Sequence, residues 1–468
     1  MYEVENLIGG AWIPGGSPAR LTVVSPVDDQ PVTRVAVASA ADVAAAVRVA
    51  RDAAAGWART APAARGAALH AAATAVEEAT DELASVMSAE MGKPVGEARD
   101  TVAAGVGTLR QYAELGPVHR GRSLAGGHDA VDLMAFGPRG VVAVITPWND
   151  PVAVSCGLLG AALVTGNAVI YKPSERTPAT GWRLAGLLAP HVPPGVLGLL
   201  NGDGEVGAAL AGAPVDVVAQ VGSTATGRSI AAACARTGAK ALLENGGSDP
   251  LIVDAGVDPV WAAGQAALGA FANSGQICVS VERIYVHRTV AEPFLAALTA
   301  EAERWTTRIG PLVDRRLRDA VDDQVQRAVK EGATVRCGGA VPPGPGAFYP
   351  PTVLAGCTDD MAVLRDETFG PVAPVTAVDS FEEALRRAAD SPYGLAATVL
   401  TGSMSHAQQA WRDLPVGTVK INAVFGGAPG GAAHPRRGSG QGFGYGPELL
   451  DEMTVTKAVH IEAPPAGW

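Results

Sequence analysis

Along the first part of the chain the apolar positions follow the period of a helix. Residues 21–38 read as short strands interrupted by Pro26 and Pro31. Ser39-Ala40-Ala41-Asp42 then forms a capping box, in which each side chain satisfies the other's free N–H, and predicts a helix running to Ala55. After Pro62 the residues Leu69, Ala73, Val76, Ala79 and Leu83 share one helical face, and Gly92 with Pro94 ends that helix near Met91. A third helix is expected over 95–115. The stretch 116–128 is rich in glycine and charge, and the alternation from Val131 to Phe136 predicts an exposed hairpin strand.

From Gly140 the rhythm changes. Short apolar runs at 141–145, 168–171, 196–200, 215–221 and 239–243 alternate with helical segments, which predicts right-handed crossovers and a parallel sheet covered on both faces. After Gly247 a second unit of the same kind begins, with strands at 251–253, 283–287, 334–335, 372–378, 396–400 and 418–421 and helices at 290–304 and 315–331. The glycine-dense stretch 426–446 reads as loop, and 455–461 as an edge strand. The fold class is α/β, with two doubly wound lobes.

At 468 residues the chain suits two or three lobes, and 48% hydrophobic with 18% charged residues describes a globular protein with an ample core. A net charge of −11 argues against nucleic acid or an anionic membrane as partner, since both reward cationic surface. The acidic start, Met1 to Asn6, lacks the basic and apolar segments of a signal peptide, and no run approaches the length of a spanning helix, so a cytoplasmic protein is expected. Cys156, Cys234, Cys278, Cys337 and Cys357 are an odd number with no C-x-x-C pair, which suggests reduced thiols and no metal site.

Candidate chemistry concentrates at Phe271-Ala272-Asn273-Ser274-Gly275-Gln276-Ile277-Cys278, where an alanine-rich helix stops at small and polar residues just before a lone cysteine. Such a turn presents a nucleophile with its own N–H free for an oxyanion, yet a buried cysteine acting as a small hydrophobe fits the same residues. Glu244 before Gly246-Gly247, and Asn149 after Thr146-Pro147-Trp148, add a base and an amide donor. Gly202-x-Gly204-x-x-Gly207 has the glycine spacing of a dinucleotide fingerprint, but the positions about twenty residues on are Thr224, Thr226 and Gly227, with no acid among them. Gly222-Ser223-Thr224, at a strand-to-helix junction with free N–H groups, is the better phosphate candidate.

With Pro147-Trp148-Asn149, Lys172-Pro173-Ser174-Glu175, Gly222-Ser223-Thr224, Glu244-x-Gly246-Gly247, Gly275-Gln276-x-Cys278 and Glu367-x-Phe369-Gly370-Pro371-Val372 in this order, the sequence resembles the aldehyde dehydrogenase superfamily from about Asn6 to about Val459. The resemblance implies a Rossmann-like cofactor domain (1–119 and 139–246), a catalytic domain (247–446) and a small β oligomerisation element (120–138 and 447–468), assembled as a homodimer or homotetramer. It implies oxidation of an aldehyde through a Cys278 thioester, with Glu244 activating water and Asn149 holding the oxyanion. Thr146, Pro147, Trp148, Lys172, Ser174, Glu175, Gly222, Ser223, Gly246, Glu367 and Phe369 would hold the nicotinamide cofactor. Glu175 favours NAD because a carboxylate there accepts ribose hydroxyls and repels a 2′-phosphate; NADP stays open because of Lys172.

Three other readings compete. A CoA-acylating enzyme has no use for a water-activating Glu244, a cysteine hydrolase needs a histidine and none lies between His191 and His287, and a silent scaffold has no reason to hold thiol, carboxylate and amide together. The sequence departs from the family at Asn245, where an apolar residue is usual, and at 430–440, which replaces the usual loop beside the substrate funnel. There His434, Arg436 and Arg437 border the funnel by resemblance, and an arginine either grips a small anionic semialdehyde or points into solvent or to a neighbouring subunit.

Overall fold

The computed structural model describes residues 1–427 and 431–464. Part of the loop expected at 426–446 (428–430) and the end of the C-terminal segment (465–468) lie outside the described residues. The helix Ala40–Arg59 begins at the expected capping box, with Ser39 and Asp42 bonded reciprocally. The next helix is a correction. A single helix to Met91 was expected, but Pro62–Glu78 and Thr80–Met91 are separate, because Ala79 leaves helical geometry and the Thr80 hydroxyl donates to the Glu77 carbonyl at 2.6 Å. The apolar face survives the break: Leu69, Ala73, Val76, Ala79 and Leu83 are all buried.

An eight-stranded sheet has at its centre five parallel strands, in spatial order Lys240–Glu244, Val217–Val221, Val141–Ile145, Ala168–Lys172 and Leu197–Leu199. The chain lays down Val141–Ile145 first, moves outward twice, then returns to its other side. This reversal opens a crevice beyond the carboxyl ends of Val141–Ile145 and Val217–Val221, where open α/β sheets bind ligands. Strands Asn6–Ile8 and Ala11–Ile13 extend one edge in antiparallel fashion. On the other edge Gly440–Gln441 pairs antiparallel with Lys240–Glu244. Those two residues fall in a stretch read as loop, a second correction.

A seven-stranded sheet has the spatial order Thr334–Cys337, Thr352–Ala355, Val372–Val378, Val281–His287, Asp249–Val253, Ala396–Leu400 and Thr418–Ile421, parallel except for the first pair. The fully buried strand Thr352–Ala355 was absent from the sequence reading, since four residues directly after Pro350-Pro351 carry no periodic signal. Only four residues separate Glu244, the last of its strand in one sheet, from Asp249, the first of its strand in the other. That link, Asn245 to Ser248, forms the floor of the cleft between the sheets. A three-stranded sheet joins Thr454–Glu462 to Ala130–Pro138 across nine paired positions, the pairing the resemblance implied, with Arg122–Leu124 on the far side.

Candidate active site

The nucleophile turn is built from three successive left-handed residues. Asn273, Ser274 and Gly275 have φ of 48°, 58° and 73°. A β-carbon on Gly275 would lie 2.1 Å from the Gly370 carbonyl oxygen, so the position admits no side chain. Asn273 and Ser274 are held in this costly conformation from all sides. The Asn273 N–H donates to Glu97 at 3.0 Å, its amide donates to the carbonyls of Asn149 and Gln276, and the Ser274 hydroxyl donates to Gly310. Gln276 closes the turn by donating to the Asn273 carbonyl and accepting the Val313 N–H. Cys278 leaves this scaffold partly exposed, and its N–H has no protein acceptor among the described residues.

Across the cleft, Glu244 ends its strand with Oε1 3.5 Å from Cys278 Sγ. Burial raises the Glu244 carboxyl above its ordinary value. Burial, and then the carboxylates of Glu244 and Asp249, raise the Cys278 thiol well above its own. The hydrogen bond from Cys278 opposes the effect of burial on Glu244 and favours its ionised form, the form that can take the thiol proton. Asn149 is buried; its amide donates to the Gln276 carbonyl at 3.0 Å and keeps a second N–H.

The base is gripped by the last stretch of the chain. Ser439, fully buried, donates through its hydroxyl to the Gly246 carbonyl and through its carbonyl accepts the Asn245 N–H. The Asn245 amide donates to Gly438 at 3.1 Å, so the polar residue that departs from the family pattern ties this loop to the base. Gly444 faces Glu244 itself: a β-carbon there would lie 2.8 Å from Glu244 Oε2.

Cys278, Asn149, Trp148, Asn245, Gly246, Glu367 and Phe369 line one cavity of about 300 Å³. A neighbouring cavity of about 650 Å³ is lined by Thr146, Lys172, Ser174 and Glu175, and the two share Pro147, Trp148, Gly222 and Ser223. A continuous trough thus leads from Glu175 at the sheet's crevice to Cys278. Every residue assigned to the site from sequence lines it except Glu244, which reaches it through its contact with Cys278. Ser223 caps the helix Thr224–Thr237 by accepting the Thr226 N–H, which leaves the first turn's other N–H groups facing the trough. Lys172 is buried, donates to the Pro173 carbonyl and lies 4.0 Å from Glu175; burial lowers its pKa.

Gly204 and Gly207 line the larger cavity too, but Asp203 caps their helix and puts a carboxylate where a phosphate would need to sit. A dinucleotide fits the trough. The fit rests on its length, its helix N-terminus, the carboxylate at its mouth and buried acceptors at Gln220, Gln324 and Asn245 that have no partner among the described residues.

Glu367 accepts the Gly247 N–H at 3.1 Å, and burial raises its carboxyl to about 7. Trp148 meets Phe369 edge to face at 5.4 Å, and Arg176 lies over the Trp148 ring while pairing with Asp314 at 2.9 Å. Arg437 donates to the carbonyls of Ala389 and Ser391, and neither Arg436 nor Arg437 lines these cavities. Residues to which sequence reasoning gave no role are Glu97, Asn273, Gln276, Glu282, Ser439 and Gly444. Glu282 left a signal, a charge next to that of Arg283 at the head of a buried strand.

A family model described as the aldehyde dehydrogenase family matches residues 12–459. A betaine aldehyde dehydrogenase of Cereibacter sphaeroides (strain ATCC 17029 / ATH 2.4.9) is 34% identical over 412 residues, 84% of this chain and 83% of that protein. The solved NAD-dependent aldehyde dehydrogenase from Sinorhizobium meliloti is 32% identical with a TM-score of 0.95, across 100% of this chain and 96% of that one. An indole-3-acetaldehyde dehydrogenase solved with NAD+ is 33% identical, also with a TM-score of 0.95, across 98% and 97%.

Proposed function

The chain belongs to the aldehyde dehydrogenase family, and from that premise we propose that it oxidises its aldehyde through a thioester on Cys278, with Glu244 as the base in both halves of the reaction. The observation that carries this is the 3.5 Å approach of Cys278 Sγ to Glu244 Oε1 beside the Asn149 amide. Glu244 takes the thiol proton as sulfur bonds to the carbonyl carbon. The oxygen, now anionic, receives the second N–H of Asn149 and the free N–H of Cys278. Bound nicotinamide supplies the acceptor for the hydride that leaves the carbon, which makes the adduct a thioester. Glu244, its proton released, then takes one from water; the hydroxide so formed adds to the thioester, and the carboxylate departs as Cys278 regains its proton.

Glu175 supports NAD over NADP, because its carboxylate stands at the mouth of the trough, where a 2′-phosphate would be repelled. Pro147, Trp148, Gly222 and Ser223 join the two cavities along the bound cofactor, and Gly246, Glu367 and Phe369 border its reactive end. The distribution of strands supports a division into a cofactor-binding domain (1–119 and 139–246), a catalytic domain (247–446) and an oligomerisation element (120–138 and 447–468). That element's exposed Val131, Val455 and Ile461 favour a homodimer or homotetramer. No helix among the described residues is long and apolar enough to cross a membrane, and we place the enzyme in the cytoplasm.

Arg437 is committed to main-chain carbonyls and neither arginine lines the cavities, so the reading of an anionic semialdehyde by Arg436 rests on its exposure in this loop alone. Efficiencies on anionic and uncharged aldehydes of equal length, in wild type and Arg436→Ala, decide whether Arg436 reads it. The reaction itself is tested by NADH formation from a panel of aldehydes, with and without CoA, in wild type and Cys278→Ser. We expect CoA-independent turnover that the substitution abolishes, since a hydroxyl is the poorer nucleophile here. Turnover that requires CoA, or survives in Cys278→Ser, refutes the mechanism.

A further inference from the structure

Glu282 lies four residues beyond Cys278, at the head of the strand Val281–His287, and only 3% of its surface is exposed. Among the described residues no lysine or arginine pairs with it; the adjacent Arg283 is spent on the carbonyls of Ser248 and Ala388. Its two oxygens instead accept two consecutive main-chain N–H groups, Oε2 that of Thr368 at 2.9 Å and Oε1 that of Phe369 at 2.8 Å. Burial and the neighbouring Glu367 raise this carboxyl well above its ordinary value, and the two N–H bonds aimed at one loop are what favours its ionised form.

That loop needs holding. Phe369 has a φ of +53°, a conformation an aromatic residue adopts only when its surroundings impose it. In that conformation its ring meets Trp148 edge to face, and the preceding Glu367 turns towards Gly247. The following Gly370 carbonyl fills the space beside Gly275 in the nucleophile turn. One short loop therefore forms a wall of the Cys278 cavity and a buttress of its turn, and both bonds of the Glu282 carboxylate fall on it.

We infer that Glu282 is a positioning residue for the cofactor: by fixing the N–H groups of Thr368 and Phe369 it sets the geometry of Glu367 and Phe369 where the nicotinamide half of the dinucleotide lies. The inference rests on the assignment of that wall to the cofactor. A glutamine at 282 keeps the size of the side chain but turns an NH2 towards one of the two N–H groups, which loses a bond and opposes two donors.

The test is NADH binding by purified protein, followed by the fluorescence of the bound dinucleotide, with melting temperature and both KM values recorded alongside. Glu282→Gln should weaken NADH binding by about tenfold or more and raise KM for NAD while leaving KM for the aldehyde unchanged. Glu282→Asp, one methylene short but still a carboxyl with two acceptor oxygens, should fall between it and wild type, and it carries the test if the glutamine variant fails to fold. Combined with Phe369→Ala, Glu282→Gln should cost less than the two changes do separately, because it acts through the same loop. A lower melting temperature with unchanged NADH affinity overturns the inference and makes Glu282 a core residue only. Glu367→Gln and Phe369→Ala separate the two levels of failure. If they weaken NADH binding and Glu282→Gln does not, the positioning role alone is wrong. If none of the three affects it, the cofactor assignment of this wall is wrong as well.

Discussion

Cys278 and Glu244 meet in a buried site, where burial opposes the ionisation of both and Glu244 further opposes that of the thiol, and the pH dependence of the enzyme follows from that. Burial raises the Glu244 carboxyl above the usual carboxylate range, and it must be ionised to accept a proton. A raised pKa means that the ionised form is reached only at higher pH. The rate should therefore rise with pH along an acid limb displaced upward from the value of about 4.3 that a free glutamate gives. A kcat profile measured in wild type should show this limb, and Glu244→Gln should lack it; a limb at the ordinary position in both proteins would place the titration elsewhere. At this scale the sequence was most informative about residues whose chemistry is in the side chain, because thiol, carboxylate and amide each recur in a motif of fixed spacing. It was silent on Asn273 and Glu97, whose work is to hold a left-handed turn. That work depends on a partner 176 positions away, which no local pattern encodes.

The segment from Arg436 to Gly444 contains few large apolar residues and was read as loop, yet it supplies an edge strand, the Ser439 bridges and the surface against which the base rests. Small residues are required there because the backbone comes within hydrogen-bond reach of the Glu244 strand. Local periodicity reports on side-chain burial and is blind to such backbone approach. The same blindness hid Thr352–Ala355, whereas the long alternations of strand and helix were legible because each buries a whole apolar face. Gly444 gives the element its most specific test. The nearest atom to an added β-carbon is the mobile end of Glu244, so Gly444→Ala should fold normally and displace the carboxylate. We expect kcat to fall by about tenfold, equivalent to about 1.4 kcal/mol of barrier, with the melting temperature unchanged. A lower melting temperature with kcat intact would make Gly444 a packing residue instead.

The whole molecule joins two sheets by the short link from Glu244 to Asp249, and ties them again where Arg176, beside the trough, pairs with Asp314. Carboxyls are buried both at this junction and away from it. Asp249, which accepts the Ala396 N–H and faces Arg283, Lys420 and Glu367, is raised from 3.8 to about 8 by burial, and Glu90, deep in the first lobe, is raised to about 7. Such groups hold protons in the folded state that the unfolded chain releases. Their contribution to stability is therefore complete below about pH 4 and is lost as pH rises towards 8. Melting temperature should fall across that interval, and Asp249→Asn, which cannot ionise, should flatten the upper part of the decline. A decline identical to wild type would show that Asp249 ionises as readily folded as unfolded.

The central claim, that one carboxylate serves a covalent Cys278 intermediate, is tested most directly by mixing Glu244→Gln with aldehyde and NAD and following NADH in the first turnovers, with the mass of the Cys278 peptide recorded in parallel. Acylation should survive with weakened assistance while hydrolysis fails, giving a burst of about one NADH per active site, slow release afterwards and an acyl group retained on Cys278. A steady-state rate equal to wild type, or a burst that leaves Cys278 unmodified, would contradict it.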